Sequence, residues 1–473
     1  PPPPPSPSPP PALSPPAPPP YSFSQLGRAM KGQHRDMIGV SVATSADGRV
    51  VAFGAKSNES GSQTNVAGFV TVVAWNGSNW EQRGDLLMGT HAQWRYGHSL
   101  AMSASGNVLA VGAPERWDAN GLTVRGQVDV FAWFGGAWTR IGETPSWTFG
   151  TFRADTAGDK TGHSVALSAD GSVLAVGQPG DESNGGTEVG RVWVYKYNGY
   201  EWARMGDQVY LGATNHLRFG WAVALNADGR VLAVTSPHMG IAHIDDDDGG
   251  GTCLGNRVRV YQWDELANAW LPRGSTLTGE APTDQFGFSV ALDHDGDVIA
   301  IGGRHNDPDG ALANAGHVRT FAWDGGEYVQ RGADIDGETA SGQRGWSVSL
   351  SDDGRVLAVS EISFDPNNQG GGPVRVYVWD GSAWALHAAP IWADADGAPM
   401  PPSTRRLSAT YQLVANDKRC RVYDFGHDHE RLQNVQDVGS VAACQDLCDA
   451  DSSCNVIFVE THGDHDCELY ENK

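Results

Sequence analysis

From about residue 21 to residue 430, the chain repeats one short pattern of apolar and polar positions. Each copy opens on a glycine, continues as an alternating strand such as Gly162-His-Ser-Val-Ala166, and turns at a pair such as Asp170-Gly171. A nearly continuous apolar run such as Val108-Leu-Ala-Val-Gly112 follows the turn. Alternation predicts a strand with one buried face, whereas a continuous run predicts a strand buried on both faces. The opening glycines, spaced 58, 65, 58, 67 and 58 residues apart, are Gly39, Gly97, Gly162, Gly220, Gly287 and Gly345.

Two further strands complete each copy. A variable loop leads to a third strand such as Arg191-Val-Trp-Val-Tyr195, and a short turn leads to a fourth strand that opens on an aromatic residue. Four antiparallel strands in about 60 residues are typical of one blade of a β-propeller, so we predict an all-β fold. The aromatic residues that open the fourth strands are Trp80, Trp138, Trp202, Trp270, Tyr328 and Trp384.

The ends of the repeat region predict how the ring is completed. Ser22-Phe-Ser-Gln-Leu-Gly27 resembles a fourth strand but precedes the first complete copy. After the sixth copy, residues 408–415 and 420–424 form a degenerate unit without a clear fourth strand. The opening segment can supply that strand and leave no free sheet edge. We therefore predict a seven-bladed propeller over residues 21–430, closed by an N-terminal strand.

Two segments flank the predicted propeller. Fourteen of residues 1–20 are proline, which excludes helix and sheet and predicts a polyproline II rod. Residues 431–473 hold four of the six cysteines and predict a small disulfide-rich module. The chain begins at Pro1, so we expect a processed form or a segment of a longer protein.

Charge narrows the choice of partners. The formal net charge is -23, which disfavours binding to nucleic acid or to an anionic membrane surface. No apolar run approaches the roughly 18 residues of a membrane span. The clustered cysteines and the two N-glycosylation sequons at Asn58 and Asn76 favour an extracellular location.

The glycine that opens each copy carries a family resemblance. Tyr96-Gly97 followed by Gly112-Ala113-Pro114, and Phe286-Gly287 followed by Gly302-Gly303, resemble the FG-GAP repeat of integrin α-chain propellers. That resemblance implies Asp-rich calcium loops between the first two strands, but the turns here are mostly Ser-x-Asp-Gly. Two acidic segments remain as calcium candidates, with a tight hairpin turn and a solvated acidic loop as the respective alternatives. Their residues are Asp293, Asp295, Asp297, Asp245, Asp246, Asp247 and Asp248.

The proline-rich arm carries a second resemblance. Ser6-Pro7-Ser8-Pro9-Pro10 is similar to the tracts of hydroxyproline-rich glycoproteins of plant and green-algal extracellular matrix. The resemblance implies hydroxylation and O-glycosylation, and the alternative is an unmodified stiff linker. The candidate prolines are Pro2, Pro3, Pro4, Pro5, Pro7, Pro9, Pro10, Pro11, Pro15, Pro16, Pro18, Pro19 and Pro20.

The C-terminal cysteines carry a third resemblance. The spacing Cys444-x3-Cys448-x5-Cys454, with Cys467 further on, resembles a PAN/apple module. By that resemblance Cys444 would pair with Cys467, and Cys448 with Cys454. Cys253 and Cys420 remain, either as a further pair or as free or intermolecular thiols.

No catalytic constellation emerges from the sequence. Ser45-Ala-Asp47-Gly48 lacks the spacing and the Trp of a sialidase box, and the group His462, Asp464 and His465 is more typical of a surface loop than of a metal site. The tryptophans of the repeat are explained by packing between blades, whereas Trp94, Trp147 and Trp221 offer sugar-stacking candidates.

These observations predict a non-enzymatic, secreted structural or assembly glycoprotein of a matrix, cell wall or surface fibre. Its expected partners are copies of itself or other matrix glycoproteins, with covalent glycans, no nucleic acid and no membrane span. Calcium is the one cofactor the sequence suggests. The alternatives are a carbohydrate- or protein-binding adhesin or lectin and, third, a secreted glycan-processing enzyme.

Overall fold

A computed structural model describes most of the repeat region. The described residues are 26, 38–55, 68–89, 95–115, 126–142, 158–182, 188–207, 209, 217–237, 256–281, 283–308, 312–362 and 372–391. For a few further strands, in 151–153, 411–414, 419–420, 422–424, 435–437 and 466–469, the backbone alone is described. The chain divides into two compact units, residues 1–399 and 400–473. No helix in these residues is long and apolar enough to cross a membrane.

The first unit contains six antiparallel sheets, each with its first four strands in meander order from the inside outward. Four of the sheets carry a fifth short strand. Blade 1 contains β1 (Ile38–Thr44), β2 (Val50–Ala55), β3 (Phe69–Trp75), β4 (Trp80–Gln82) and β5 (Leu87–Met88). Blade 2 contains β6 (Ser99–Met102), β7 (Val108–Ala113), β8 (Gln127–Phe134), β9 (Ala137–Arg140) and β10 (Thr151–Arg153). Blade 3 contains β11 (Ser164–Leu167), β12 (Val173–Gln178), β13 (Arg191–Tyr197) and β14 (Trp202–Arg204).

Blades 4 to 6 repeat the same arrangement. Blade 4 contains β15 (Val223–Leu225), β16 (Val231–Ser236), β17 (Arg257–Asp264), β18 (Ala269–Pro272) and β19 (Leu277–Thr278); blade 5 contains β20 (Phe286–Leu292), β21 (Val298–Gly303), β22 (His317–Trp323), β23 (Tyr328–Gln330) and β24 (Ile335–Asp336); blade 6 contains β25 (Ser347–Leu350), β26 (Val356–Ser360), β27 (Val374–Trp379) and β28 (Trp384–Leu386).

Backbone hydrogen bonds link consecutive blades at the hairpin turns between their first and second strands. Each turn donates an N–H to the carbonyl of the same turn in the next blade, over distances of 2.8 to 3.0 Å. Five such bonds connect the six blades in order, so the first strands stand side by side around one axis. The bonds run from Ala46 to Ala104, from Ala104 to Ala169, from Ala169 to Ala227, from Ala227 to His294, and from His294 to Asp352. The molecule is a six-bladed β-propeller, and we call this end of the ring the turn end.

The opposite end, where the first strands begin, depends on the repeated glycines. A Cβ on Gly112 would lie 2.2 Å from the carbonyl oxygen of Gly162, because the second strand of one blade touches the first strand of the next. Ser99 Oγ donates to that same carbonyl at 2.8 Å. Ser41, Ser164 and Ser289 make the equivalent bond to Gly97, Gly220 and Gly345. The Gly-x-Ser of the repeat is therefore an inter-blade contact, and we call this end the collar end.

The hydrophobic core lies between neighbouring blades. Every residue of β12, β16 and β21 is buried, as their continuous apolar runs predict. One cluster combines Val231 and Ala233 of blade 4 with Ile299 and Ile301 of blade 5. On the outside of the ring, Trp138 Nε1 donates to the carbonyl oxygen of Arg83 in the preceding blade at 2.9 Å, in agreement with tryptophans packed between blades.

The prediction of seven blades is wrong: the propeller has six. Residues 408–415 and 420–424, expected as the degenerate seventh blade, fall in the second unit. There β29 (Tyr411–Val414) pairs with β31 (Val422–Asp424) on one side and with β33 (Asp466–Leu469) on the other. The neighbouring β30 (Arg419–Cys420) pairs with β32 (Val435–Asp437). Because β31 and β33 occupy both edges of β29, this strand is not available to form a seventh blade.

The predicted closing strand, residues 22–27, is described at Leu26 alone. The carbonyl of Leu26 accepts a hydrogen bond from Trp80 Nε1 at 2.7 Å, as the carbonyl of Arg83 does from Trp138. The rest of this segment and the proline-rich residues 1–20 lie outside the described residues. The closing strand and the polyproline rod stay predictions.

Candidate functional site

One group of side chains at the junction between blades 4 and 5 has the composition of a metal site. Glu280 follows β19 of blade 4, His317 opens β22 of blade 5, and Asp334 precedes β24. One ligand atom from each of them lies within 4.8 Å of the others. Because β22 is a third strand and begins where β20 begins, the group lies at the collar end of the ring.

The histidine at the centre of the group has no hydrogen-bond partner. Its side chain is fully buried, and neither Nδ1 nor Nε2 is bonded within the described part of the chain. Nδ1 lies 3.8 Å from Glu280 Oε2 and 3.7 Å from Asp334 Oδ2, too far for hydrogen bonds. A buried polar group left without a partner costs about 1–3 kcal/mol, so this arrangement calls for a ligand between the three side chains.

The charges point to a cation as that ligand. Burial lowers the pKa of His317 to about 4, so the imidazole is neutral near pH 7 and does not neutralise the carboxylates. Burial raises the pKa of Asp334, and the nearby Glu280 adds to the rise against the opposing charge of Arg319. Arg319 Nε lies 3.5 Å from Asp334, and Asn306 Nδ2 donates to Glu280 Oε2 at 3.2 Å. Asp334 thus has one guanidinium beside it, and both carboxylates face a neutral imidazole.

Blade 3 shows what fills the same position elsewhere in the ring. Arg191 opens β13 as His317 opens β22, and each pairs with the last residue of the second strand. The buried Arg191 guanidinium forms ion pairs with Asp159 and Asp181, which are themselves buried. Where blade 3 supplies a guanidinium to its carboxylates, blade 5 has a neutral imidazole, which is a possible metal ligand.

A glycine makes room for the histidine ring. A Cβ on Gly303, the last residue of β21, would lie 2.6 Å from His317 Nε2. Phe286 meets the ring edge to face, with centroids 6.2 Å apart. These two neighbours fix the ring with Nδ1 directed toward the carboxylates.

The calcium candidates of the sequence have other roles where they are described. Asp293 Oδ1 accepts hydrogen bonds from the N–H groups of Asp297 and Val298, and so holds the hairpin turn. Asp297 forms an ion pair with Arg273 at 2.5 Å, and Asp295 is exposed. The second candidate segment, residues 245–248, lies outside the described residues. Calcium binding at either segment stays a prediction.

The remaining predicted positions are described in part. Asn76 is exposed in a turn in which its Oδ1 accepts from Ser78 and Asn79, which leaves the sequon accessible. Asn58, Trp94, Trp147, Cys253, Cys444, Cys448, Cys454 and residues 462–465 lie outside the described residues. Only the backbone strands of Cys420 and Cys467 are described, so the disulfide pairings stay predictions.

Sequence reasoning missed Glu280, His317 and Asp334. Glu280 and His317 are 37 residues apart, and none of the three belongs to a recognisable motif. A signal exists only in the departure from the repeat, because His317 occupies a position at which blade 3 has Arg191.

No protein-family model matches the chain, and no curated protein matches it. The FG-GAP and PAN/apple resemblances and the hydroxyproline-type arm therefore find no support there.

Solved structures of similar fold include the periplasmic gluconolactonase of Pseudomonas aeruginosa, 17% identical, which covers 78% of this chain and 92% of its own, with a TM-score of 0.43. A candidate 6-phosphogluconolactonase of Bacteroides uniformis is 11% identical and covers 82% of this chain and 95% of its own, with a TM-score of 0.45. A candidate 6-phosphogluconolactonase of Bacteroides fragilis is 10% identical, with coverage of 80% and 91% and a TM-score of 0.42. At these identities the likeness concerns the propeller fold.

The expected function requires a correction. The prediction of a non-enzymatic structural or assembly glycoprotein is contradicted: the solved structures of similar fold named above are gluconolactonases and 6-phosphogluconolactonases, not matrix glycoproteins. That prediction also rested on a ring without chemistry, whereas the described residues hold a group of three side chains that could bind a metal ion, of which only His317 is buried. The adhesin or lectin alternative stays untested. The extracellular location and the matrix partners have no supporting observation.

Proposed function

We propose that this chain is a zinc-dependent hydrolase that opens a sugar lactone or a related carbohydrate ester, with the ion held by Glu280, His317 and Asp334. The single observation that carries the proposal is the buried His317, whose Nδ1 faces two carboxylates at 3.7 and 3.8 Å without a hydrogen bond.

The donor set favours zinc over calcium. One imidazole nitrogen with two carboxylates suits a first-row transition ion, whereas calcium takes oxygen ligands throughout. Three protein ligands are typical of catalytic zinc, which keeps a fourth position for water or substrate. The Glu280 side chain is 51% exposed, so the fourth position can be reached from solvent.

The chemistry required is ordinary ester hydrolysis. A zinc ion lowers the pKa of a bound water and polarises a carbonyl oxygen. The water oxygen would form a bond to the carbonyl carbon, the ring C–O bond would break, and the proton lost by the water would pass to the released ring oxygen, which gives a hydroxy acid. Asn306 orients Glu280 through its hydrogen bond, and Gly303 and Phe286 hold the His317 ring in place. The lactone is the first substrate to test because it is the one that proteins of similar fold are named for.

The test is hydrolysis of an aldonolactone by the full chain after chelation and after addition of Zn²⁺, Mn²⁺ or Ca²⁺. We expect activity to disappear with the chelator and to return with Zn²⁺. Glu280→Gln should lose more than the roughly 10- to 100-fold that the loss of an outer-shell partner costs.

Glu338→Gln is the matched control, because Glu338 follows Gly337 in blade 5 as Glu280 follows Gly279 in blade 4. Because Glu338 is the exposed member of its junction, at 67%, the loss of its ion pairs should cost little stability, and the variant should retain the activity of the parent chain. Activity that survives chelation, or that Glu338→Gln reduces as much as Glu280→Gln does, would overturn the proposal. A panel of lactones and sugar esters on which the zinc-loaded chain shows no turnover would overturn it as well.

A further inference from the structure

Five aromatic side chains form a row around the axis at the collar end. Each follows the glycine that opens a blade, from blade 2 to blade 6, and together we call them the collar: His98, His163, Trp221, Phe288 and Trp346. Neighbouring rings lie close, with centroid separations of 5.1, 4.2, 5.8 and 5.0 Å in that order. Because the first strands line the axis, the collar lies at the mouth of the central channel that a β-propeller encloses, on the side of blades 2 to 6.

The collar is placed for contact with a ligand. Across the same glycines, Tyr96, Phe219 and Phe286 are at most 1% exposed and belong to the core. The collar side chains are all only partly buried. Each of these three blades thus uses one aromatic ring for packing and keeps a second one accessible at the axis.

A cation completes the surface. The Arg304 guanidinium lies 3.9 Å from the ring centroid of Phe288 and 4.8 Å from that of Trp346. Its Nε donates to Gln285 Oε1 at 2.6 Å, and it forms no ion pair with a carboxylate among the described residues. In a chain with 56 acidic residues, an arginine without a carboxylate partner at a channel mouth is a site for an anion.

The shape of the collar selects the kind of anion. The rings from His163 to Trp346 meet at 47°, 45° and 48°, so no two neighbours form the parallel slot that a planar base would enter. A saturated sugar ring can instead lay its C–H face on a single aromatic face, as in pockets that combine aromatic walls with a few polar groups. A guanidinium matches a carboxylate with two parallel hydrogen bonds.

We propose that the collar and Arg304 bind a sugar acid, with the pyranose ring on a collar face that Arg304 does not cover and its carboxylate on the guanidinium. This proposal names a ligand class for the same end of the ring as the proposed hydrolase site but stands on different residues. Arg304 and Asn306 connect the two places, because they are two residues apart and Asn306 bonds Glu280.

The test is calorimetric titration of the chelated full chain with glucuronate and galacturonate, and with glucose and galactose as neutral counterparts. We expect binding of the acids and at least tenfold weaker binding of the neutral sugars. Arg304→Gln should weaken binding of the acids roughly 10- to 100-fold and leave the neutral sugars unchanged. Trp346→Ala should weaken binding of both.

Two variants of exposed residues serve as controls. Tyr200→Ala removes an exposed ring, and Arg230→Gln removes an arginine that already pairs with Glu265, so neither should alter binding. Equal affinity for acid and neutral sugars, full affinity in Arg304→Gln, or no binding of either class would overturn the proposal. Because the metal is absent, a failed hydrolase assay leaves this result intact, and a failed titration leaves the hydrolase assay intact.

Discussion

The junctions on the two sides of blade 5 place a glutamate at the same position in different surroundings. Between blades 5 and 6, Glu338 lies 3.5 Å from Arg344 and 3.2 Å from Arg375, and both arginines bond the buried Glu361. Two carboxylates there meet two guanidinium groups. Between blades 4 and 5, Glu280 and Asp334 both face the neutral His317, and Asp334 alone pairs with the single guanidinium of Arg319.

The difference in charge balance between the two junctions suggests different roles, folding stability for one and metal binding for the other. Balanced buried charges keep a junction closed, since removal of one partner leaves an uncompensated charge in a low-dielectric interior. An unbalanced junction with an unbonded histidine is less favourable on its own and becomes favourable when an ion enters. We therefore expect changes on the blade 6 side to affect folding and changes on the blade 4 side to affect metal binding.

The largest expected effect is on the balanced junction. Arg344→Met should lower the free energy of unfolding by about 3–5 kcal/mol, because Glu361 is buried and loses a charge partner. Urea unfolding monitored by tryptophan fluorescence measures it. The control is Arg230→Met, which removes an exposed ion pair and should cost about 0–1 kcal/mol. Equal losses in the two variants would contradict the account of a balanced junction.

The next effect is stabilisation of the unbalanced junction by its ligand. Zn²⁺ at 100 times its dissociation constant should raise the free energy of unfolding by about 2.7 kcal/mol. His317→Arg, which places in blade 5 the residue that blade 3 has as Arg191, should abolish this increment, because a guanidinium supplies the missing charge. An increment that persists in His317→Arg would show that the ion binds elsewhere.

A smaller effect should follow from crowding the histidine. In Gly303→Ala the added Cβ would lie 2.6 Å from His317 Nε2, so the ring must shift and zinc affinity should fall about tenfold. Gly326→Ala is the matched control, because the nearest atom to its Cβ is Asp324 Oδ1 at 3.7 Å. Isothermal titration with Zn²⁺ compares the two. Unchanged affinity in Gly303→Ala would mean that the ring position does not matter for binding.

The smallest effect concerns the serine contacts of the collar end. Ser289 Oγ donates to Gly345 across the junction of blades 5 and 6 at 2.8 Å, whereas blade 4 has Ala222 at the same position. Ser289→Ala should cost about 1 kcal/mol of unfolding free energy. Ser99→Ala should cost the same, since Ser99 makes the equivalent bond to Gly162. Unequal losses would show that the junctions do not share this contact.

The blades could be predicted from the sequence because the pattern of one blade occurs six times along the chain. Turns such as Asp170-Gly171 and fourth-strand aromatics such as Trp80 and Trp138 recur in register, and repetition separates them from chance. The error in the blade number came from residues 408–424, which have strand-like composition but pair with the C-terminal β33. Composition does not reveal which neighbour a strand will choose.

The candidate site could not be reached in this way because it is a single departure from the repeat. His317 can be compared with the equivalent residues of the other blades only when the strand register is known. That register depends on the pairing of β21 with β22. The collar residues are visible in the sequence, because each directly follows the glycine that opens its blade. Their rings could be joined into one surface only when the blades were placed around an axis.

The central claim is that an ion belongs between Glu280, His317 and Asp334. Anomalous diffraction from crystals of the full chain grown with Zn²⁺ tests it most directly. We expect a single strong peak about 2.0–2.2 Å from His317 Nδ1 and from one carboxylate oxygen of each acidic residue. A map without a peak there, with His317 bonded instead to a protein group or to water, would contradict it.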